Sequence, residues 1–249
     1  IKNFKKFKNK IDYIVVDKQP PKILNLFDDD SESTKGQKSI LNGMSRDYFQ
    51  RENLINGLKN AEEDDMILVS DLDEVPNLEN LNFSNIKNKI IIFQQKMFYY
   101  KINLLYENFI WHGTKACKKK HLISPQWLRN IKAKNYPLWR LDLFFSNKKH
   151  TDLFFVNNGG WHFTYLKTPE QLYKKLINFA HHFEFEKSGL NIKDIKRLIN
   201  EKKIIYDHGI DQKKYKWSGN KKLNKVDNTY LPKYITSNLD KYKDWLDLT

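Results

Sequence analysis

Short apolar runs, rich in Ile, Phe and Tyr and separated by polar stretches with Asn, Gly and Pro, dominate this chain and predict strands. Residues 11–17 (IDYIVVD) read as a buried strand ended by a turn at Pro20-Pro21. Residues 66–70 (MILVS) read as a second, leading straight into Asp71-Leu72-Asp73-Glu74. The run 89–100 (KIIIFQQKMFYY) is a third, with 102–110 pairing against it as a hairpin, and 152–156 is a further short strand that ends in Asn157-Asn158-Gly159-Gly160-Trp161-His162-Phe163.

Helical spacing occurs over 45–60, where Tyr48, Phe49, Leu54, Ile55 and Leu58 recur behind Ser45 as N-cap. It recurs over 169–182 through Leu172, Leu176 and Phe179, and over 192–205, and Ser124-Pro125 starts a helix running through Leu128-Arg129. The stretch 24–43, with Asp28-Asp29-Asp30, reads as a polar surface loop, and the tail from about residue 206 is loop-rich. The order strand, helix, strand over 11–70 predicts a βαβ unit. The expectation is therefore one α/β domain over 1–249, with a central mixed, mostly parallel sheet flanked by helices.

Composition narrows the chemistry. The single cysteine, Cys117, rules out an internal disulfide framework and a Cys-rich zinc site, and reads as a small apolar residue. No run of about 18 apolar residues suggests a membrane span, and the first residues lack the apolar stretch of a signal peptide. A cytoplasmic chain of microbial or viral type is expected; because it begins with Ile1, membrane association of a longer protein stays open. The net charge of +14 invites a nucleic-acid reading. Lysines scattered along the whole chain argue against one, since Arg occurs only at 46, 51, 129, 140 and 197, and runs such as Lys118-Lys119-Lys120 and Lys213-Lys214 read as solvated loops. What remains is a general attraction for anionic substrates.

Asp71 and Asp73 follow a strand. In extended backbone, carboxylates two apart point to one side and could share a hard divalent cation that neutralises a diphosphate. Gly159-Gly160-Trp161-His162 forms a second constellation: glycines that let backbone approach a ligand, an aromatic face for a sugar or base, and an imidazole. A tight turn packing Trp161 in the core, with His162 hydrogen-bonded to backbone, is the equal alternative. His181-His182 reads as helix-surface or packing histidines.

Five segments in order, 47–51 (DYFQR), 70–76 (SDLDEVP), 111–114 (WHGT), 124–129 (SPQWLR) and 158–166 (NGGWHFTYL), together resemble glycosyltransferase family 17. That family includes the β-1,4-mannosyl-glycoprotein 4-β-N-acetylglucosaminyltransferases that add bisecting GlcNAc to N-glycans. The likeness runs from about residue 11 to 231–234 (LPKY), and family members carry a further strand-rich segment ahead of the part matching Ile11.

The resemblance implies a GT-A-type nucleotide-sugar fold and inverting transfer of a sugar, with UDP-GlcNAc as the expected donor, to a glycan acceptor. It implies Mn²⁺ or Mg²⁺ on Asp71 and Asp73, gripping the donor diphosphate. By analogy with other GT-A enzymes, His162 would complete the metal shell or donate to the diphosphate. Gln50 and Arg51 would reach the same anions, or Arg51 would pair with Asp71 or Glu74. Glu74 and Asp142 are the candidates for the base that deprotonates the acceptor hydroxyl. Trp111, Trp139 and Trp161 are candidate sugar platforms, and Arg140 a candidate substrate contact. Two rivals stand beside this reading: a haloacid-dehalogenase-like phosphatase with Asp71 as nucleophile, and a non-enzymatic polyanion-binding module.

Overall fold

The computed structural model describes residues 2–143, 145–179, 182–209, 215–217 and 219–249. His181 and the Lys213-Lys214 run lie outside the described residues. The chain makes four passages, and each gives one strand to each of two sheets. These are β1 (Met66–Val69) with β2 (Glu74–Pro76), β3 (Ile90–Phe93) with β4 (Gln95–Tyr99), β5 (Leu104–Trp111) with β6 (Lys115–Lys118), and β7 (Leu153–Val156) with β8 (Gly160–Thr164). A short β9 (Asn224–Lys225) completes the set. One sheet has the order β1-β6-β3-β7 and the other β2-β8-β4-β5-β9.

The passages all break along one seam between the sheets: at residues 70–73, at Gln94, at 112–114 and at 157–159. The predicted single strand over 89–100 is thus two. Gln94 holds the seam with backbone bonds, its N–H donating to Val156 O (3.1 Å) and its carbonyl accepting from Gly159 N (2.8 Å). Beside it the buried Gln95 side chain exchanges hydrogen bonds with Thr114. The two glutamines inside an otherwise apolar run mark this seam in the sequence.

The expected mostly parallel sheet is corrected. Only β3–β7 and β4–β8 are parallel, and the other pairings among the described strands are antiparallel. The predicted hairpin does form, as β4–β5. The fold is α/β, with two mixed sheets flanked by helices.

The helices are α1 (Glu32–Glu52), α2 (Pro125–Asn130), α3 (Pro169–Leu176), α4 (His182–Ser188), α5 (Ile192–Asn200), α6 (Lys233–Thr236) and α7 (Leu239–Tyr242). None is long and apolar enough to cross a membrane among the described residues. Apolar side chains cover both faces of both sheets. Leu128 and Trp127 of α2 pack with Ile67, Val69, Ile90 and Cys117 on one face of the first sheet, and Ile91, Phe93 and Ala116 fill the other. Leu172, Phe185 and Ile195, from α3, α4 and α5, pack on Met97, Tyr99 and Leu104 of the second. Its opposite face carries Phe98 and Phe163 against Leu231 and the C-terminal helices.

The βαβ unit is also corrected. Residues 11–17 form no strand: β1 lies at the end of its sheet and pairs only with β6, and Ile11, Tyr13 and Val15 stay exposed. The segment is instead fastened to α1 further along, where Arg46 Nε donates to Gln19 Oε1 (3.0 Å) and Asn42 exchanges two hydrogen bonds with the Leu24 backbone. The expected loop over 24–43 becomes helix from Glu32. Ser31 caps it by accepting from Thr34 N, and Lys38 pairs with Asp30. Its first half buries only Gly36 and Asn42, so no apolar period announced it.

Candidate functional site

Asp71-Leu72-Asp73-Glu74 forms a β-turn at the seam, closed by Glu74 N–H donating to Asp71 O (3.0 Å). A turn does not keep alternate side chains on one side as a strand would. Asp71 lines a cavity of about 310 Å³ with Asp47, Gln50, Arg51, Leu54 and Ser70. Asp73 lines another, of about 600 Å³, with Val75, Phe163, Tyr165, Lys167 and Lys175. Leu72 projects fully exposed between them and lines both.

Asp71 is gripped by two guanidinium groups. Arg51 Nη2 donates to Oδ1 (3.1 Å) and Arg129 Nη2 to Oδ2 (2.8 Å). Arg129 also forks onto Glu74, with both of its contacts at 3.0 Å, and donates to Gly113 O. The Glu74 side chain is completely buried; it accepts from Trp111 Nε1 (2.7 Å) and from Asp71 N–H (3.0 Å) as well. A side chain at Gly113 would collide with the Glu74 carboxylate and the Trp111 indole, so only glycine permits this packing. Arg51 is steered by Gln126, whose Oε1 accepts from Nη1 at 2.5 Å. Arg129 is held by Lys115, a buried lysine on β6 whose ammonium donates to the carbonyls of Arg129 (2.6 Å) and Ile131 (2.5 Å). Burial and the Arg129 charge push the Lys115 pKa down to about 7, although Glu74 opposes them.

Asp73 has different company. Glu74 lies opposite His162 in the β2–β8 register, and Phe163 N–H donates to Asp73 O, so β8 carries the imidazole to the turn. His162 Nε2 is 3.4 Å from Asp73 Oδ1, and the buried ring stacks on Trp111 with centroids 4.6 Å apart. Its Nδ1 has no hydrogen-bond partner among the described residues. Gly160 makes this strand pairing possible: its φ is +128° and a Cβ there would strike Val75 O. Burial acts to raise the Asp73 pKa, but the His162 hydrogen bond and charge, with Lys175, outweigh it and hold the carboxyl below the ordinary aspartate range.

The expected residues therefore divide. Gln50, Arg51, Asp71, Asp73, Glu74, Trp111 and His162 gather at the seam. Glu74, a candidate base, is buried, engaged by Arg129, Trp111 and backbone, and lines neither cavity. Asp142, the other candidate base, lines neither cavity beside the turn, and hydrogen bonds from Arg140 and Lys149 lower its pKa to about 2. Arg140 is spent on Asp142 and on the Tyr136 ring, and Trp139 is exposed next to it. Trp161 lies opposite Val75 and donates to Tyr230 O (2.6 Å), which fastens the tail rather than lining either cavity. One face of Trp111 is covered by His162.

The shared divalent cation does not fit this arrangement. Both Asp71 oxygens face guanidinium groups, Asp73 faces the other cavity, and no three His, Cys, Asp or Glu side chains among the described residues are grouped to hold a metal ion.

Sequence reasoning missed Arg129, Gln126, Lys115, Lys167, Lys175 and the role of Leu72. Arg129 had a signal. In a chain whose cations are nearly all lysine, five arginines stand out, and two of them converge on Asp71, where a planar fork serves and an ammonium does not. Comparison of the chain with family models, curated proteins and solved structures returned no match.

Proposed function

We propose that this protein is a glycosyltransferase that moves a sugar, in the first instance GlcNAc from UDP-GlcNAc, onto a glycan hydroxyl at the Asp71–Asp73 turn. One observation carries the reading. All five segments that resemble family 17 send a side chain into a single network: Arg51, then Asp71 with Glu74, then Trp111, then Gln126 with Arg129, and His162. Group transfer needs two substrates to meet at one point, and the turn has a cavity on each side of Leu72.

The donor takes the Asp71 side. Its cavity shares Gln50 with a neighbouring one of about 400 Å³, lined by residues 13–16 and Arg46, where Tyr13 and Phe49 offer aromatic faces to a base. Gln50 hydrogen-bonds the donor there, and Arg51, which shares its charge with Asp71, is the cation in the lining that would meet a diphosphate leaving group. The acceptor takes the Asp73 side. Its hydroxyl oxygen bonds to the anomeric carbon as the carbon–oxygen bond to the diphosphate breaks; the bonding electrons leave with the diphosphate and the proton passes to Asp73. His162 orients the Asp73 carboxylate.

Phosphatase chemistry is disfavoured, since neither Asp71 oxygen is free to attack phosphorus. The test is thermal unfolding with UDP, with Mn²⁺, with both, and with EDTA. UDP alone is expected to raise Tm, and EDTA to leave that shift unchanged. Stabilisation by DNA with steep salt dependence, and none by UDP, would refute the transferase reading. A shift that needs Mn²⁺ would show that Asp71 leaves Arg51 to take a cation.

A further inference from the structure

The larger cavity holds more positive charge than its own acid can balance. Asp73 is the one carboxylate lining it, while Lys167 and Lys175 both line it. Both lysines are half-buried, and neither makes a hydrogen bond or ion pair among the described residues. The nearest acid along α3, Glu170, is committed elsewhere, to Lys196 at 2.8 Å. Lys175 rests over the Tyr165 ring, 5.1 Å from its centroid, so its charge stays at the cavity wall. Burial lowers the Lys175 pKa, Asp73 opposes this, and Lys167 adds to the lowering. Asp73 balances one of the two charges, and the cation left over in this half-buried cavity is costly unless an anion joins it. The remaining wall, from Leu72, Val75, Phe163, Tyr165 and Leu166, is apolar and aromatic, suited to the flat face of a sugar ring.

We propose that this cavity selects an acceptor sugar bearing an oxyanion, seated on Lys167 and Lys175 while its hydroxyl meets Asp73. This rests on the transferase reading for the role of Asp73, but the binding itself does not. A uronate's single charge matches the surplus that Asp73 leaves; a phosphate monoester carries the same oxyanion chemistry with up to two charges.

The experiment measures binding of a hexose 6-phosphate, a hexuronate and the neutral hexose to the full chain by calorimetry, with UDP binding measured alongside. Hexose phosphate and hexuronate are each expected to bind at least tenfold tighter than neutral hexose, and added salt should erode the difference. Lys175→Met keeps the aliphatic stem and should abolish the discrimination while UDP affinity stays unchanged. Lys175→Arg keeps the charge and should retain it, which separates lost charge from lost fold. Equal affinity for charged and neutral hexose in the unaltered chain overturns the proposal. So does a Lys175→Met variant that loses UDP instead, because the lysines would then serve the donor. Failure of UDP to bind, with hexose phosphate still selected, removes the transferase reading and leaves the oxyanion site standing.

Discussion

Asp71 and Asp73 are two residues apart and do opposite work. Asp71 is locked by two arginines that belong to distant elements, Arg51 near the end of α1 and Arg129 in α2, and so joins the helices to the edge of the first sheet. Asp73 has one imidazole neighbour and faces an open cavity. Carboxylates with the same sequence signature therefore separate by partner. One completes an ion network around the buried Glu74; the other faces a cavity.

The largest effect should come from removing the cation on which the Asp71 side depends. Arg129→Met leaves the fully buried Glu74 carboxylate without its guanidinium. Breaking a buried pair from one side costs about 3–5 kcal/mol. Urea unfolding should show the midpoint falling with little change in slope, and a loss under about 1 kcal/mol would mean that water reaches Glu74.

The next comparison separates the two aspartates. Asp73→Asn gives up a single charged contact, to His162, and should cost about 1 kcal/mol or less, while lowering kcat by about 10²–10⁴ if Asp73 is the base of the proposed transfer. Asp71→Asn should do the reverse in stability, costing about 1–3 kcal/mol through two weakened charge-assisted hydrogen bonds. Equal stability losses in the two variants would erase the distinction drawn from their partners.

This division was only half legible in the sequence. The strand before the turn, the Ser124 cap of α2, the β4–β5 hairpin and the gathering of Arg51, Asp71 and His162 followed from local apolar runs, cap chemistry and a recognisable set of segments. Strand direction did not, because residues 11–17 look like a strand whether or not a neighbouring edge exists to receive them. The direction of the aspartate side chains did not either. A two-residue spacing gives a common side only in extended backbone, and the hydrogen bond from Glu74 N–H to Asp71 O turns that backbone instead. Likewise Lys167 and Lys175 were two lysines among dozens; only burial beside Asp73 sets them apart.

The locked side should also carry a pH signature of its own through Lys115. The Lys115 pKa falls from the ordinary lysine value of 10.5 to about 7 in the folded chain, so between these values the unfolded chain binds more protons than the folded one. Stability attributable to this group then rises with pH from about 7 to about 10.5, and it is lost as pH falls through 7. Lys115→Met should flatten that part of the profile relative to the unaltered chain. An unchanged slope would mean that its two carbonyl partners keep the ammonium charged throughout.

The smallest effect on stability, and the sharpest on the comparison, should come from Leu72. Its side chain is fully exposed, so Leu72→Ser removes almost no buried surface and should shift unfolding by less than about 0.5 kcal/mol. Yet it lines both cavities, and in the proposed reaction donor and acceptor touch it from opposite sides. Loss of that shared wall should raise KM for both substrates together, about tenfold or less each, as for a modest apolar contact. A change confined to the donor would place the acceptor elsewhere and separate Asp73 from the reacting hydroxyl. A change in both, with Tm constant, would tie the two cavities to one reaction through a residue that contributes nothing to the fold.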